Sequence, residues 1–568
     1  MRTGIATVCL SGTLEEKLAA AARAGFDGVE VFEPDLIGSR LSPREVGVLA
    51  AELGLTIDLY QPLRDFEGVG PEQFERNLRR AEAKFDVMEE LGATLILACS
   101  NVSSDTIDDD ALAAAQLTVL ADRAAERGVR IAYEALAWGR HVNEYDRAWR
   151  IVREADHPSL GVCLDSFHIL SRGTGLDTIG EIPAEKLFFL QLADAPHLVM
   201  DVLQWSRHYR CFPGQGGFDL SAFTSRVLDA GYAGPLSLEV FNDVFRQADP
   251  VRMAVDAKRS LLILQEAIDP SGAGHLPPPP ALHGYAFVEL AVEPTSVGET
   301  QRLLNAMGLT PTAQHRTKPV TLWQQQGIRV LLNAAAPTPP GIAALAVESV
   351  DPARSSERAE RLLAPVLARH RGPGEAKLSA VAAPDGTSVF FCRTEEPVQA
   401  GRWLEDFEAL APTGGSYAGL DRIDHVALAQ PFDYFDEAVL FYRSVLGLEP
   451  LESLELAAPS GLVRSRAVTN ADGSVRLALN VRVLAHDSRQ STGLQHVAFE
   501  CADILAVGAE MRVRGLTPLE IPGNYYEDLA ARSDLDPGLL DSMRELGVLY
   551  DRDQAGGEFL HLFTPTIG

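Results

Sequence analysis

Four residues in the first half of the chain invite a chemical reading: Glu134, Asp165, Gln191 and Glu239. Each closes a short apolar run, at Arg130–Glu134, Gly161–Asp165, Leu187–Gln191 and Pro235–Glu239. Three carboxylates gathered in one place repel one another and raise each other's pKa. A divalent cation removes that repulsion. An all-oxygen set of ligands suits a hard ion such as Mg2+ or Mn2+ better than zinc, with Co2+ as a further candidate. One such acid alone would read as a strand-end cap or an ion-pair partner. Four at the ends of successive runs favour the cation.

The elements that must position these residues form a repeat. Eight apolar runs precede residue 269: Gly4–Cys9, Gly28–Phe32, Thr56–Tyr60, Thr94–Ala98 and Arg130–Glu134, then Gly161–Asp165, Leu187–Gln191 and Pro235–Glu239. Amphipathic segments alternate with them. One is Thr13–Ala24, where Thr13 and Glu16 have capping-box spacing and Gly25 suits a C-terminal stop. Eight such units predict an α/β TIM barrel over residues 1–268, with chemistry at the C-terminal ends of its strands. A doubly wound sheet is the alternative.

A break follows at 269–284, where four consecutive prolines predict an extended, semi-rigid linker. A second break, rich in Gly, Pro and Ser, lies at 411–419. Strand-like runs at Tyr285–Val292 and Ile423–Leu428 each lead to a helix expected to end in Gly-Leu, at Leu303–Leu309 and Tyr442–Leu448. This weak duplication predicts an α+β half made of two tandem βαβββ units, at 285–410 and 420–568.

Composition bounds the function. At roughly 150 residues per domain, 568 residues imply three or four domains. The 79 acidic and 50 basic residues give a net charge of −29, which disfavours nucleic acid as a partner. No apolar run approaches the ~20 residues of a membrane-spanning helix. The short stretch Ile5–Leu10 is soon followed by Glu15 and Glu16 and is no signal peptide. Six scattered cysteines form no CxxC pair. A cytoplasmic protein with a small-molecule substrate is expected.

Several segments resemble the xylose-isomerase-like barrels, and within them the bacterial 3-dehydroshikimate dehydratases of quinate and shikimate catabolism. The segments are Val8–Leu14, Gln61–Gly68, Tyr133–His141, Leu164–His168 and Arg210–Gly216. The resemblance implies that Glu134, Asp165, Gln191 and Glu239 bind the metal and that the reaction is dehydration of 3-dehydroshikimate to protocatechuate. Elimination from a β-hydroxy ketone needs an acidified α-proton, a base and a protonated leaving hydroxyl. His168 is the expected base and His141 the second proton-transfer candidate. Arg64 and Arg210 are the expected contacts to the substrate carboxylate. Asp194 or Asp201 is an alternative partner for Arg210, and Pro213–Gly217 reads as a turn that aims it.

The C-terminal half resembles 4-hydroxyphenylpyruvate dioxygenase and the wider vicinal-oxygen-chelate fold, most clearly around His496 in Leu494–Phe499 and His425 in Arg422–Leu428. The family's iron site is built from two His and one carboxylate. The resemblance therefore makes His425 and His496 ligands of a possible second divalent metal. The first unit has Phe287-Val288-Glu289-Leu290 where a His would fall and is expected to hold none. The family's carboxylate lies beyond the stretch matched by Glu558–Thr564, so no third ligand is found; Glu558 and His561 are its stand-ins.

Other readings remain at this level. A sugar or hydroxypyruvate isomerase shares the barrel's ligand set but needs no paired arginines. An apurinic-site endonuclease needs more histidines and a basic face. An aryl-pyruvate dioxygenase needs the missing carboxylate. A dimerisation or sensing module is the non-enzymatic reading, and the duplicated units suit a homodimer or higher homo-oligomer.

Overall fold

The computed structural model of the chain describes residues 1–568 except 270–275, 337, 368–373, 395–401, 412–418, 459–460, 483–494, 553–555 and 568. Parts of both expected breaks, 270–275 and 412–418, therefore lie outside the described residues. Two compact units result, Met1–Leu276 and Pro277–Gly568.

The first unit is the expected closed parallel barrel. Its strands are β1 (Thr3–Ala6), β2 (Gly28–Phe32), β3 (Thr56–Leu63), β4 (Leu95–Cys99), β5 (Arg130–Glu134), β6 (Leu160–Asp165), β7 (Leu187–Leu192) and β8 (Leu236–Leu238). Closure comes from β1 pairing β8, with Thr3 opposite Leu236 and Ile5 opposite Leu238. β4, β6 and β8 are buried along their whole length, which is why they read as continuous apolar runs. The helix Leu14–Arg23 starts with the expected reciprocal cap: Glu16 N–H donates to the Thr13 hydroxyl, and Thr13 N–H donates to the Glu16 carboxylate.

Several boundaries shift by one residue, so that β7 runs on to Leu192 and β8 stops one residue short of Glu239, and two shift further for local reasons. The Gly4–Cys9 run stops being a strand at Ala6, and Thr7–Cys9 form a turn of 3-10 helix. There the Thr7 hydroxyl accepts the Phe32 N–H, a hydrogen bond that the side chain takes over from the ladder. The third run extends three residues further, to Leu63, which carries Gln61 and Arg64 to the barrel mouth.

The second unit contains two mixed sheets and a short ribbon. The first comprises β9 (Leu282–Ala291), β10 (Thr310–His315), β11 (Val320–Gln325), β12 (Ile328–Asn333), β13 (Gly341–Ser349), β14 (Ser379–Ala382), β15 (Ser388–Cys392) and β16 (Phe407–Ala409). The second comprises β17 (Leu420–Ala429), β18 (Glu449–Ala458), β19 (Gly461–Thr469), β20 (Arg476–Arg482) and β21 (His496–Cys501). β22 (Leu549–Arg552) and β23 (Glu558–His561) form the ribbon.

In both sheets a first strand pairs in parallel with one neighbour and antiparallel with another: β9 with β12 and β13, β17 with β20 and β21. This repeated arrangement is the structural form of the duplication. The helix Phe435–Leu446 ends at Gly447, whose φ of 67° is a left-handed cap that glycine adopts without strain. The corresponding helix after β9 is Val297–Ala306, earlier than the expected Leu303–Leu309, because the chain turns at Gly308 with φ 90°. The proline-rich segment is not free along its length, since Arg358 Nη1 donates to the Pro277 carbonyl.

Candidate active site

The C-terminal ends of the barrel strands bring Glu134, Asp165 and His168 together, with one ligand atom from each within 4.8 Å of the others. Glu134 is the last residue of β5 and Asp165 the last of β6. The helix Ser166–Leu170 follows directly and is capped by Asp165, whose Oδ1 accepts the His168 N–H. That cap fixes the three-residue spacing from Asp165 to His168. All three side chains are buried.

Electrostatics show what the cluster lacks. Burial, with the charges of Asp165 and Glu239, pushes the Glu134 carboxyl well above the usual range. Burial and Asp165 push Glu239 up to about 7 against the pull of Arg210. Burial also works on Asp165, but Arg210 and His168 hold it below its ordinary value. Glu134 Oε1 is buried and has no hydrogen-bond partner. An orphaned carboxylate oxygen in a buried acidic cluster is the mark of a cation site. The residues present thus fit a divalent metal.

Arg210 takes a different place from the one expected. Its guanidinium is buried, and Nη1 donates to Asp165 Oδ2 at 2.8 Å, to Glu239 Oε2 at 3.1 Å and to the Glu239 carbonyl. Nε and Nη2 donate to the Ser206 hydroxyl. These donors are spent on the protein, so Arg210 balances the carboxylates instead of facing a substrate. Its partners are neither Asp194 nor Asp201. The Asp194 carboxylate instead collects the N–H groups of Gly214, Gly216 and Phe218. A Cβ on Gly216 would stand 2.3 Å from Asp194 Oδ1, so the turn requires glycine there. Asp201 caps the helix Val202–His208. Removing Arg210 would strand two buried carboxylates. We predict that Arg210→Ala lowers the unfolding free energy of the metal-free protein by about 3–5 kcal/mol, read by urea denaturation; a loss under 1 kcal/mol would refute the pairing.

Arg64 and Arg207 are two further cations near the cluster. Arg64 follows β3 at the mouth, and no ion-pair partner is found for its side chain among the described residues. Its charge lowers the pKa of Glu239 and of His168, on both of which burial acts more strongly. Arg207, one residue from Ser206, is held below the ordinary arginine value by burial and then by the charges of Arg64 and Arg210. Sequence reading missed Arg207, because a helical arginine in a loop region looks like any solvated charge.

The ring of His168 has a defined tautomer. Ala137 N–H donates to Nδ1 at 3.1 Å, so the neutral ring carries its proton on Nε2, where Arg210 Nη2, itself only a donor, stands 3.2 Å away. Nε2 lies 3.8 Å from Glu134 Oε1 and 3.9 Å from Asp165 Oδ2. Burial, Arg210 and Arg64 push the imidazole down to about 3, although Asp165 opposes them. Trp138 packs edge-on against it at 5.0 Å. His168, the base expected from the sequence, thus lies inside the cluster with Nε2 turned toward Glu134 and Asp165. His141 lies outside this cluster. Its Nε2–H donates to the Thr106 carbonyl at 3.0 Å and its Nδ1 is 3.7 Å from Asp108, in a cleft with Glu67, Asn101 and Arg147. Gln191 stands opposite Asp165 across β6–β7, and its amide turns to Glu30.

In the second unit, His425 and His496 come together from β17 and β21, with Nε2 atoms 3.0 Å apart. His425 Nδ1–H donates to Asp424 Oδ2 at 2.6 Å, which leaves the Nε2 lone pair facing His496. His561 is near enough to lower the His496 pKa, after burial and His425, to about 4. Glu558 is exposed and accepts the Tyr550 hydroxyl. Among the described residues no third ligand joins the pair as closely as the barrel cluster is joined. Glu289, at the equivalent place in β9, accepts from Asn333 Nδ2 at 2.7 Å.

Comparison with known proteins matches both halves. The xylose isomerase-like TIM barrel family covers residues 18–263. The hydroxyphenylpyruvate dioxygenase N-terminal family covers 277–394, and the glyoxalase/bleomycin resistance protein/dioxygenase superfamily covers 422–538. The chain is 44% identical to a 3-dehydroshikimate dehydratase of Pseudomonas putida over 99% of this chain and 93% of that one. It is 47% identical to one of Pseudomonas aeruginosa with the same coverage. A solved structure described as a xylose isomerase-like TIM barrel/4-hydroxyphenylpyruvate dioxygenase fusion protein superposes with a TM-score of 0.90 at 42% identity, over 99% of this chain and 94% of that one.

Proposed function

The chain belongs to the family of 3-dehydroshikimate dehydratases that join a xylose isomerase-like barrel to a hydroxyphenylpyruvate dioxygenase-like half, and we propose that its reaction runs at the buried cluster in the barrel mouth. The protein is a hydro-lyase that converts 3-dehydroshikimate to protocatechuate and water. The observation that carries the placement is Glu134 Oε1, buried without a partner beside Asp165 and His168.

In this reading Glu134, Asp165, Gln191 and Glu239 hold a Mg2+, Mn2+ or Co2+ ion. When bound, it supplies Lewis acidity toward the substrate's ketone and adjacent hydroxyl. The chain's own residues do the rest. His168, neutral and carrying its proton on Nε2, donates a hydrogen bond to a substrate oxygen that gains negative charge as the ring loses its α-proton and the β-hydroxyl departs. Trp138, edge-on to His168, and the Ala137 N–H keep the imidazole oriented. Arg64 and Arg207 bind the ring carboxylate, the role that the engaged guanidinium of Arg210 does not fill. Loss of the second ring proton completes the aromatic product.

The deciding experiment strips the protein of metal, restores Mg2+, Mn2+ or Co2+ in turn, adds 3-dehydroshikimate and follows the ultraviolet band of protocatechuate. Product that depends on the added ion supports the reading, and no product with any ion sinks it. For the carboxylate contact, Arg64→Ala is expected to raise KM about 10–10²-fold, because a charge-assisted contact is worth about 1.5–3 kcal/mol, with a smaller change in kcat. An unchanged KM would move the carboxylate elsewhere.

The remaining parts of the proposal are coarser. His425 and His496, oriented by Asp424, would hold a second divalent ion, tested by whether metal content falls by one equivalent in His425→Ala. The six cysteines, five of them buried, form no disulfide among the described residues, which suits the cytoplasm, and no helix among the described residues is long and apolar enough to cross a membrane. The ten-residue edge strand β18 supports a homodimer or higher homo-oligomer, which light scattering would weigh.

A further inference from the structure

One layer below the cluster lies a carboxylate that the reaction leaves unused. Glu30 occupies the middle of β2 between Val29 and Val31 and is fully buried. Its Oε2 accepts Gln191 Nε2–H at 2.6 Å and Gln61 Nε2–H at 2.8 Å. Its Oε1 accepts the Ser237 hydroxyl. The three donors come from β7, β3 and β8, so one side chain ties together strands on different sides of the barrel. Among the described residues no cation pairs with it. A buried anion without a counter-ion is costly, and four buried side chains converging on one point are costly to assemble by packing alone.

The geometry of Gln191 shows what this arrangement does. A primary amide has one end that binds a cation, the oxygen, and one that does not. Left to itself in a pocket the two ends exchange by a half-turn. Here Nε2 is committed to Glu30, and the thiol of Cys163 donates to Oε1 at 3.4 Å from the other side. The amide is therefore held by its nitrogen, and its oxygen meets only a weak thiol donor. Gln61, held by the same carboxylate oxygen, stands near enough to Glu239 to lower its pKa against the rise that burial causes.

We propose that Glu30 is a positioning residue of the metal site, which locks the Gln191 amide by its nitrogen so that Oε1 faces the ion, and steadies Gln61 against Glu239. The proposal rests on the reading of Gln191 as a ligand. Outer partners of metal ligands typically carry 10–100-fold in metal affinity.

The test is a calorimetric Mn2+ titration of four full-length proteins: wild type, Glu30→Met, Glu30→Gln and Glu134→Ala as the blank for the barrel site. Folding of each is checked by circular dichroism. Glu30→Met keeps the length and removes both acceptor oxygens, so Mn2+ should bind about 10–100-fold more weakly. Glu30→Gln can place its amide oxygen where Oε2 stands and donate its nitrogen to the Ser237 hydroxyl. It should stay within about threefold of wild type, since the acceptor position is kept. Wild-type affinity in Glu30→Met overturns the proposal. Equal loss in both variants also overturns it, because charge and not the acceptor position would then matter. If wild type binds no more Mn2+ than Glu134→Ala, the metal-site reading itself has failed, an outcome distinct from these. Should Glu30→Met not fold, Glu30→Met/Gln61→Met leaves one orphaned amide instead of two and carries the same comparison.

Discussion

Glu134→Gln is expected to lose the barrel's metal and to cut kcat/KM by at least roughly 10³. The substitution is isosteric, so packing in the mouth is preserved. What changes is the charge on the oxygen that has no protein partner. A metal acting as a Lewis acid contributes several kcal/mol of charge stabilisation in the transition state, and 1.36 kcal/mol is a factor of ten in rate. Removing one carboxylate also relieves the repulsion from Asp165 and Glu239 that raises the Glu134 pKa after burial. The variant should therefore be at least as stable as wild type without metal, while the stabilisation that added Mn2+ gives wild type should vanish. Metal content after dialysis and the rate of protocatechuate formation check the two halves of this expectation. A Glu134→Gln protein that keeps both would remove the cluster from the reaction.

His168→Ala should separate chemistry from metal binding. Deleting one preorganised donor to a developing oxyanion costs about 10²–10³ in kcat. The same loss is expected here with metal content unchanged. The atom that matters is Nε2–H, fixed by the hydrogen bond from Ala137 to Nδ1. His168→Asn, whose amide can still donate, should recover part of the rate. The cluster geometry leaves one competing outcome, because His168 lies within ligand distance of Glu134 and Asp165. If turnover and metal disappear together, His168 is a ligand and not a donor to substrate.

The barrel was legible because its physics is repetitive. Strands buried on both faces announce themselves as apolar runs, and the residue ending each run falls at the mouth. Thus Glu134 and Asp165 could be placed together before any coordinates. The reciprocal cap of Thr13 and Glu16 was equally plain. Arg210 was assigned to the substrate because a loop arginine near a turn looks free, whereas its partners Asp165 and Glu239 are 45 and 29 residues away in sequence. The role of His168 depends on a backbone N–H 31 residues distant, which no spacing rule reports. Glu30 did carry a signal, an acid between two valines in a buried run, and weighing that single charge against its apolar neighbours would have exposed it.

The duplication in the second half was visible through its glycine-ended helices more than through its strands. Its sheets mix parallel and antiparallel pairs, so apolar patterning alone cannot fix their order. The His425–His496 pair was found because two histidines inside strand-like runs are unusual. Asp424, adjacent in sequence to His425, is what sets its tautomer.

The pairing of β1 with β8 has a kinetic consequence. Thr3 meets Leu236 only after more than two hundred residues have been made and threaded, so the barrel is dominated by contacts distant in sequence, and such topologies fold slowly. The oxygens of the cluster come from β5, β6 and the end of β8, and their partners Glu30 and Gln61 from β2 and β3. A chain that has not yet been made beyond Glu239 cannot assemble them. An ion held as proposed would therefore have nothing complete to bind until closure, and once bound would draw the equilibrium toward the closed form by mass action. Divalent metal supplied during refolding would act as a trap for finished barrels, leaving partly closed chains behind.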